Sequence, residues 1–194
     1  VWWSPIDAPT GDYTPNATTQ ADYQPLEGEG GQITGFVGGT YGVVFQDRAI
    51  WRMTYQGSPS VFRFDQMEKE RGTTIPGSIA SIGRLIFYLA DDGYYRFDGQ
   101  QSTGIGTDKV DRTFFADLDA TYSSRISSAI DPINKLYMVA YPGSGSIGGA
   151  PNKLMLHYWP NGKWATITVD TEIVSVQFYL GQKVYQRGPL WYYN

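Results

Sequence analysis

The chain has 194 residues, with 19 Asp and Glu against 15 Lys and Arg for a net charge of −4, and it has no Cys. Disulfides, thiolate metal sites and cysteine nucleophiles are thereby excluded, and an acidic balance gives nucleic acid no general attraction. Charged residues are 18%, aromatics 15% and Gly 23 in number, which suits many short strands joined by tight turns and argues against helical bundles and disorder.

Residues Val1 to Gly31 read as an extended arm or connector. Pro5, Pro9, Pro15 and Pro25 stand among Asp, Thr, Asn and Gly without a sustained period. Trp2 and Trp3 have no amphipathic helix around them, so they are expected to dock on another sheet or another subunit. From residue 32 onward a strand pattern recurs. Its markers are Ile33, Ile79, Ile126 and Val174, successively 46, 47 and 48 residues apart. A repeat of that length built only of strands is the mark of β-propeller blades, each a four-stranded antiparallel meander with two apolar faces that needs neighbours. The expected fold is therefore all-β and propeller-like, with blades near 33–67, 79–105 and 126–169 and the start of another at 173–194. Beginning at Val1 without Met and ending within a strand pattern, the chain is expected to be part of a longer protein.

In the first repeat, Ile33–Val37, Tyr41–Phe45, Ile50–Tyr55 and Val61–Asp65 are the expected strands, with a break at Gly57-Ser58-Pro59. In the second, Leu85–Leu89 is a continuous apolar run suited to a strand covered on both faces, and Asp91-Asp92-Gly93 supplies a hairpin turn. Between the second and third repeats, Val110, Phe114 and Leu118 fall at helical spacing and predict one short helix over Asp108–Asp119. The third repeat has strands at Leu136–Tyr141, Lys153–Trp159 and Trp164–Val169, with a Gly- and Ser-rich loop from Pro142 to Asn152. The fourth is expected to place strands at Ile173, at Val184–Gln186 and, third, at Trp191–Tyr193.

Motifs that could carry chemistry meet simpler readings. Gly143-Ser144-Gly145-Ser146-Ile147-Gly148 matches a dinucleotide fingerprint, but Pro151 and a strand follow where a helix N-terminus is required, so a hairpin loop is expected. His157 is the only His, too few for a His-rich zinc site, and reads as structural or surface. Asp65, Asp91, Asp92, Asp98 and Asp131 could pair as acid and base, but they fall at expected strand ends or turns, where Asp serves the backbone. Arg48, Arg52, Arg63, Arg84, Arg96, Arg112 and Arg125 are spread over the repeats with no stripe for DNA. No catalytic residue, cofactor or metal site is expected, and no run is long enough to insert in a membrane.

Specific stretches are familiar. Trp3–Asp7, Gly38–Phe45, Ala49–Tyr55, Leu89–Tyr95 and Val110–Phe115 together resemble tailed-bacteriophage tail hub or nozzle proteins, also called packaged-DNA stabilisation or tail tubular proteins. The resemblance implies β-propeller domains in a subunit of a ring, six-fold, below the portal, which retains genomic DNA and later conducts it. It implies a virion component assembled in the bacterial cytoplasm, not an enzyme, whose partners are copies of itself, portal or adaptor and other tail proteins, and double-stranded DNA in transit. Candidate subunit contacts are Trp2, Trp3, Phe114 and Phe115, with the loop Pro142–Asn152. Two alternatives stay open: a carbohydrate-binding or host-recognition propeller using Trp51, Tyr94, Tyr95 and Trp159 as platforms, and a glycoside hydrolase propeller.

Overall fold

A computed structural model describes residues 1–178 and 190–193. The chain is mostly strand, and it divides into two compact units, residues 1–72 and 73–194.

In the first unit, the arm forms a short ribbon: β1 (Trp2–Trp3) pairs antiparallel with β2 (Asp22–Tyr23). A four-stranded antiparallel meander follows in the order β3 (Ile33–Val37), β4 (Gly42–Gln46), β5 (Ile50–Gly57) and β6 (Val61–Glu68). Alternation divides its side chains between two faces. Val43, Phe45 and Ile50 share one face and are fully buried; Phe36, Met53, Tyr55, Phe62 and Phe64 share the other. Gly42 lies under the Phe36 ring, where a Cβ would press on both Phe36 and Met53. The end of the arm is sewn to the β4–β5 turn: Arg48 N–H donates to Gly30 O at 2.8 Å, and the Gln46 side chain donates to Gly31 O while accepting from Trp51 Nε1.

The second unit holds two further meanders. One runs β7 (Ala80–Ile82), β8 (Leu85–Ala90), β9 (Gly93–Phe97) and β10 (Ser102–Gly104). The other runs β11 (Ser127–Asp131), β12 (Leu136–Tyr141), β13 (Lys153–Tyr158) and β14 (Lys163–Thr168). These boundaries follow the sequence pattern because apolar runs and Gly or Asn turns alternate as hairpins require. Between the meanders stands α1 (Asp111–Asp117), shorter than the expected Asp108–Asp119: Val110 and Leu118 leave helical geometry and become its caps. A 3-10 turn over Ala120–Arg125, capped by the Asp119 side chain, completes the connection.

The two meanders pack face to face. Phe87 stacks on Tyr137 at 5.1 Å, and Tyr94 meets Trp164 at 5.0 Å. Phe87, Leu89, Tyr94, Ile130, Tyr137, Val139, Tyr141 and Met155 form one core with Phe114 of α1. The opposite face of the β11–β14 sheet, with Ala129, Met138, Ala140 and Leu154, is covered by Ile173 and Val176. Val176 belongs to β15 (Ser175–Phe178), which pairs antiparallel with β16 (Leu190–Tyr193). Trp191–Tyr193 is thus the direct antiparallel partner of the first strand of that repeat. The expected strand Val184–Gln186 lies outside the described residues. The first strands of successive sheets are neighbours, with β11 beside both β7 and β15.

Where the short strand β7 ends, hydroxyls take over its hydrogen bonding. Leu89 N–H donates to Ser78 Oγ at 3.0 Å, and Thr73 Oγ1 donates to Leu89 O at 2.6 Å. Both side chains are fully buried, so each bond saves a backbone group from being stranded in the core. Gly77, in the turn Pro76–Ser78, backs onto the Ile126 carbonyl, where a Cβ would collide. Tyr137 Oη donates to Ser78 O at 2.6 Å, tying the β11–β14 sheet to the segment that precedes β7.

The sheet-to-sheet contact predicts two measurable effects. Tyr137→Phe should cost about 1–2 kcal/mol by stranding the Ser78 carbonyl. A double-mutant cycle on Phe87→Ala and Tyr137→Ala in urea denaturation should return a coupling of about 0.5–1.5 kcal/mol; additive losses would show that the two rings do not share a contact.

Candidate functional site

The four expected contact residues fall in different environments. Trp2 is 58% exposed and stacks on Tyr23 across the β1–β2 ribbon at 4.5 Å. Trp3 turns inward onto β6, edge-on to Phe62 at 5.2 Å and tilted against Phe64 at 6.2 Å, while its indole N–H donates to Gln20 O at 2.8 Å. Trp3 therefore docks on a sheet of its own unit. Phe114 is 0% exposed, wedged between Tyr94 and Tyr141. It belongs to the interior of the second unit and offers no face to a partner. Phe115, beside it on the helix, is 38% exposed and does. Helical spacing marked Phe114 as the core-facing position; only its packed surroundings separate its role from that of Phe115.

Below the helix, the loop Pro142–Asn152 is gathered around one carboxylate. Lys153 Nζ bonds Asp117 through both oxygens, at 2.7 and 2.8 Å. Ser144 Oγ donates to Asp117 Oδ1 at 2.6 Å, Ser144 N–H at 3.2 Å and Tyr141 Oη to Oδ2 at 3.0 Å. Burial pushes the Asp117 carboxyl up, but the donors from Lys153, Ser144 and Tyr141 outweigh it and hold it down to about 2. Lys153 Nζ also reaches Ser144 Oγ at 3.0 Å, the spacing of a serine–lysine pair. Ser144 Oγ gives its proton to Asp117 Oδ1 and Lys153 Nζ points its own donors at the same carboxylate, so the group acts as a clasp for the loop. Sequence reasoning missed this cluster because its members are scattered over Asp117, Tyr141, Ser144 and Lys153. The Gly143–Gly148 stretch closes as a loop, with Gly145 and Gly148 at positive φ, and no helix follows before β13. Beside it lies an open hollow of about 570 Å³ lined by Ser144, Asn152, Thr168, Asp170 and Glu172.

His157 is 2% exposed and lies against Trp164 at 4.3 Å, with Phe87 edge-on at 6.1 Å; its Nδ1 has no hydrogen-bond partner. Burial, with the charge of Lys109, lowers its pKa to about 4, against an opposing backbone bond at Lys163; Arg96 adds to the lowering. The imidazole is a neutral core group.

The five Asp candidates are occupied separately. Asp65 stands within β6, not at a strand end, with Arg63 at 2.7 Å and Arg52 at 3.4 Å. Asp98 accepts from the backbone of Gln100 and Gln101, and Asp131 from Ile133, Asn134 and the Asn134 side chain. Asp91 accepts from Thr74, and Asp92 from Tyr95 Oη at 2.7 Å. Among the described residues, no group of three or more His, Cys, Asp or Glu side chains is arranged to hold a metal ion. Of the four aromatic platforms considered for sugars, Tyr94 and Tyr95 are buried. Trp51 donates to Gln46, and Trp159 leans on Phe87 at 5.6 Å.

Two acid-range behaviours follow. His157 folds neutral, so its contribution is complete above the unfolded pKa of about 6.5 and is lost as pH falls through about 4, on the order of 3 kcal/mol in all. His157→Phe should flatten the stability profile in that window. Asp117 is depressed, so its contribution holds above about 3.8 and disappears as pH falls through about 2. At neutral pH, Asp117→Asn should lower stability by about 1–3 kcal/mol and open the Pro142–Asn152 loop to limited proteolysis; unchanged cleavage would show that the clasp does not hold the loop.

No family model matches the chain, and no curated protein matches it.

Proposed function

We propose that this chain is a structural module of a tailed-phage virion, a propeller-type part of a tail hub or nozzle ring below the portal. The observation that carries the reading is the repetition itself. Among the described residues, three four-stranded meanders return with their markers 46 and 47 residues apart, and those of residues 73–194 stack through aromatic faces with their first strands side by side. That is the arrangement expected of successive blades leaning on one another around a centre.

The stretches that resemble tail hub proteins coincide with scaffold elements. Gly38–Phe45 is the turn after β3 and most of β4, Ala49–Tyr55 is most of β5, Leu89–Tyr95 spans the β8–β9 turn and Val110–Phe115 opens α1. In this reading the module's work is mechanical. Sheets and loops pack against neighbouring subunits, and the ring holds and then passes the genome. The net charge of −4 favours passage, because a wall rich in Lys and Arg would hold phosphates tightly.

Electron microscopy of the purified full-length protein, alone and with portal or adaptor rings, tests the proposal. Rings, and their attachment below the portal, are the expected result. A protein that stays monomeric and joins neither ring would overturn it.

A further inference from the structure

The seam between the β7–β10 and β11–β14 sheets gathers three basic side chains that its aromatic packing does not use. Arg96 on β9 is the cross-strand partner of Phe87 and lies two residues from Tyr94, so all three share one side of their sheet. That side faces β13 and β14: Phe87 meets the His157 ring edge-on at 6.1 Å, and Tyr94 meets Trp164 at 5.0 Å. His157 and Trp164 are themselves cross-strand partners, so Arg96 is set against that pair. The third group arrives from the loop before α1. Trp164 Nε1 donates to Ile105 O at 3.1 Å, and Lys109, four residues further on, donates from Nζ to Gly162 O at 3.4 Å in the β13–β14 turn. The positive charges of Lys109 and Arg96 both act on the His157 imidazole. Two polar atoms here are shut off from solvent without a hydrogen-bond partner, Arg96 Nε and His157 Nδ1. Polar atoms in such positions are ordinarily bonded, so the pair points to a group that completes them.

We propose that Arg96, Lys109 and His157 form a binding site for one small phosphate-type oxyanion. A half-buried guanidinium and an exposed ammonium supply charge-assisted donors from two directions. His157 Nδ1 adds a third contact through one proton: a P–OH group donates to it, or the ring takes up a proton and its N–H donates to the anion. The groups around the imidazole leave room for that role. Tyr137, its partner on β12, spends its hydroxyl on Ser78 O, and Lys163 on β14 approaches through its backbone. Asp98, which also feels the Arg96 charge, accepts from the Gln100 and Gln101 N–H groups. The site lies within residues 73–194 and goes beyond the ring reading, which it neither needs nor tests.

His157 is the only His in the chain, so its ring signals in NMR report this site alone. Inorganic phosphate, added at neutral pH and constant ionic strength, should shift those signals saturably. It should also raise the imidazole titration midpoint, because a bound anion favours the protonated ring. Lys109→Gln, at an exposed side chain, and Arg96→Gln should each weaken the binding at least about tenfold. A short DNA duplex is the second probe. Shifts from phosphate alone assign the site to a free anion; shifts from both probes, weakened in both variants, assign it to phosphate groups of either source. His157 signals that phosphate leaves unmoved, or that respond equally in the wild type and in Lys109→Gln, would overturn the proposal.

Discussion

A sheet with apolar residues on both faces is stable only if something dry lies against each of them. That constraint organises residues 73–194. The β11–β14 sheet receives Phe87 and Tyr94 on one side and Ile173 and Val176 on the other, so each face is desolvated by a neighbour in the chain. Rings suit this work because a stacked or edge-on pair fills the space between two pleated surfaces and adds a directional preference to simple burial. Hairpin connections keep every strand beside its sequence neighbour, so the repeat builds its sheets with short-range pairings and leaves the longer-range contacts to the faces.

Close packing of such sheets leaves little room where connections cross them, and the chain meets that in two ways. At Gly77 and Gly106 the absence of a side chain lets backbone approach the Ile126 carbonyl and the Asp111 carboxylate. Asp111, buried at the start of α1, accepts from Tyr94 N–H at 3.1 Å; its pKa is raised by burial, against that bond, with the Asp92 charge adding to the rise. Where a strand is too short to pair its partner, Thr73 and Ser78 supply the missing bonds from side chains. The polar groups at these junctions thus serve the backbone, and the Asp117 clasp does the same for a loop that has no strand to hold it.

Much of this was legible before any coordinates. The alternation of Ile50–Tyr55, the apolar run Leu85–Leu89 and the turn at Asp91–Gly93 locate strands because pleating and hairpin geometry are local properties. The fingerprint-like Gly143–Gly148 was also readable as a loop, since Pro151 forbids the helix it would need. The helix came out shorter than its periodicity, because spacing at Val110 and Leu118 says which side is apolar and not where the backbone turns away. Asp65 was misplaced for a related reason: Asp is common at strand ends, yet here two arginines accommodate it within β6.

The sequence by itself determined the repeat, the four-strand meander and the two-faced apolar character of each sheet, because all three depend on periods and turns within a few residues. Only the tertiary structure decided which aromatics are enclosed and which remain open. Phe114 and Phe115 are adjacent in the chain, as are Trp2 and Trp3, and nothing local separates their fates. Burial is a property of what arrives from elsewhere: Tyr94 and Tyr141 close around Phe114, Phe62 and Phe64 receive Trp3, and Phe36 and Tyr55 are left facing out.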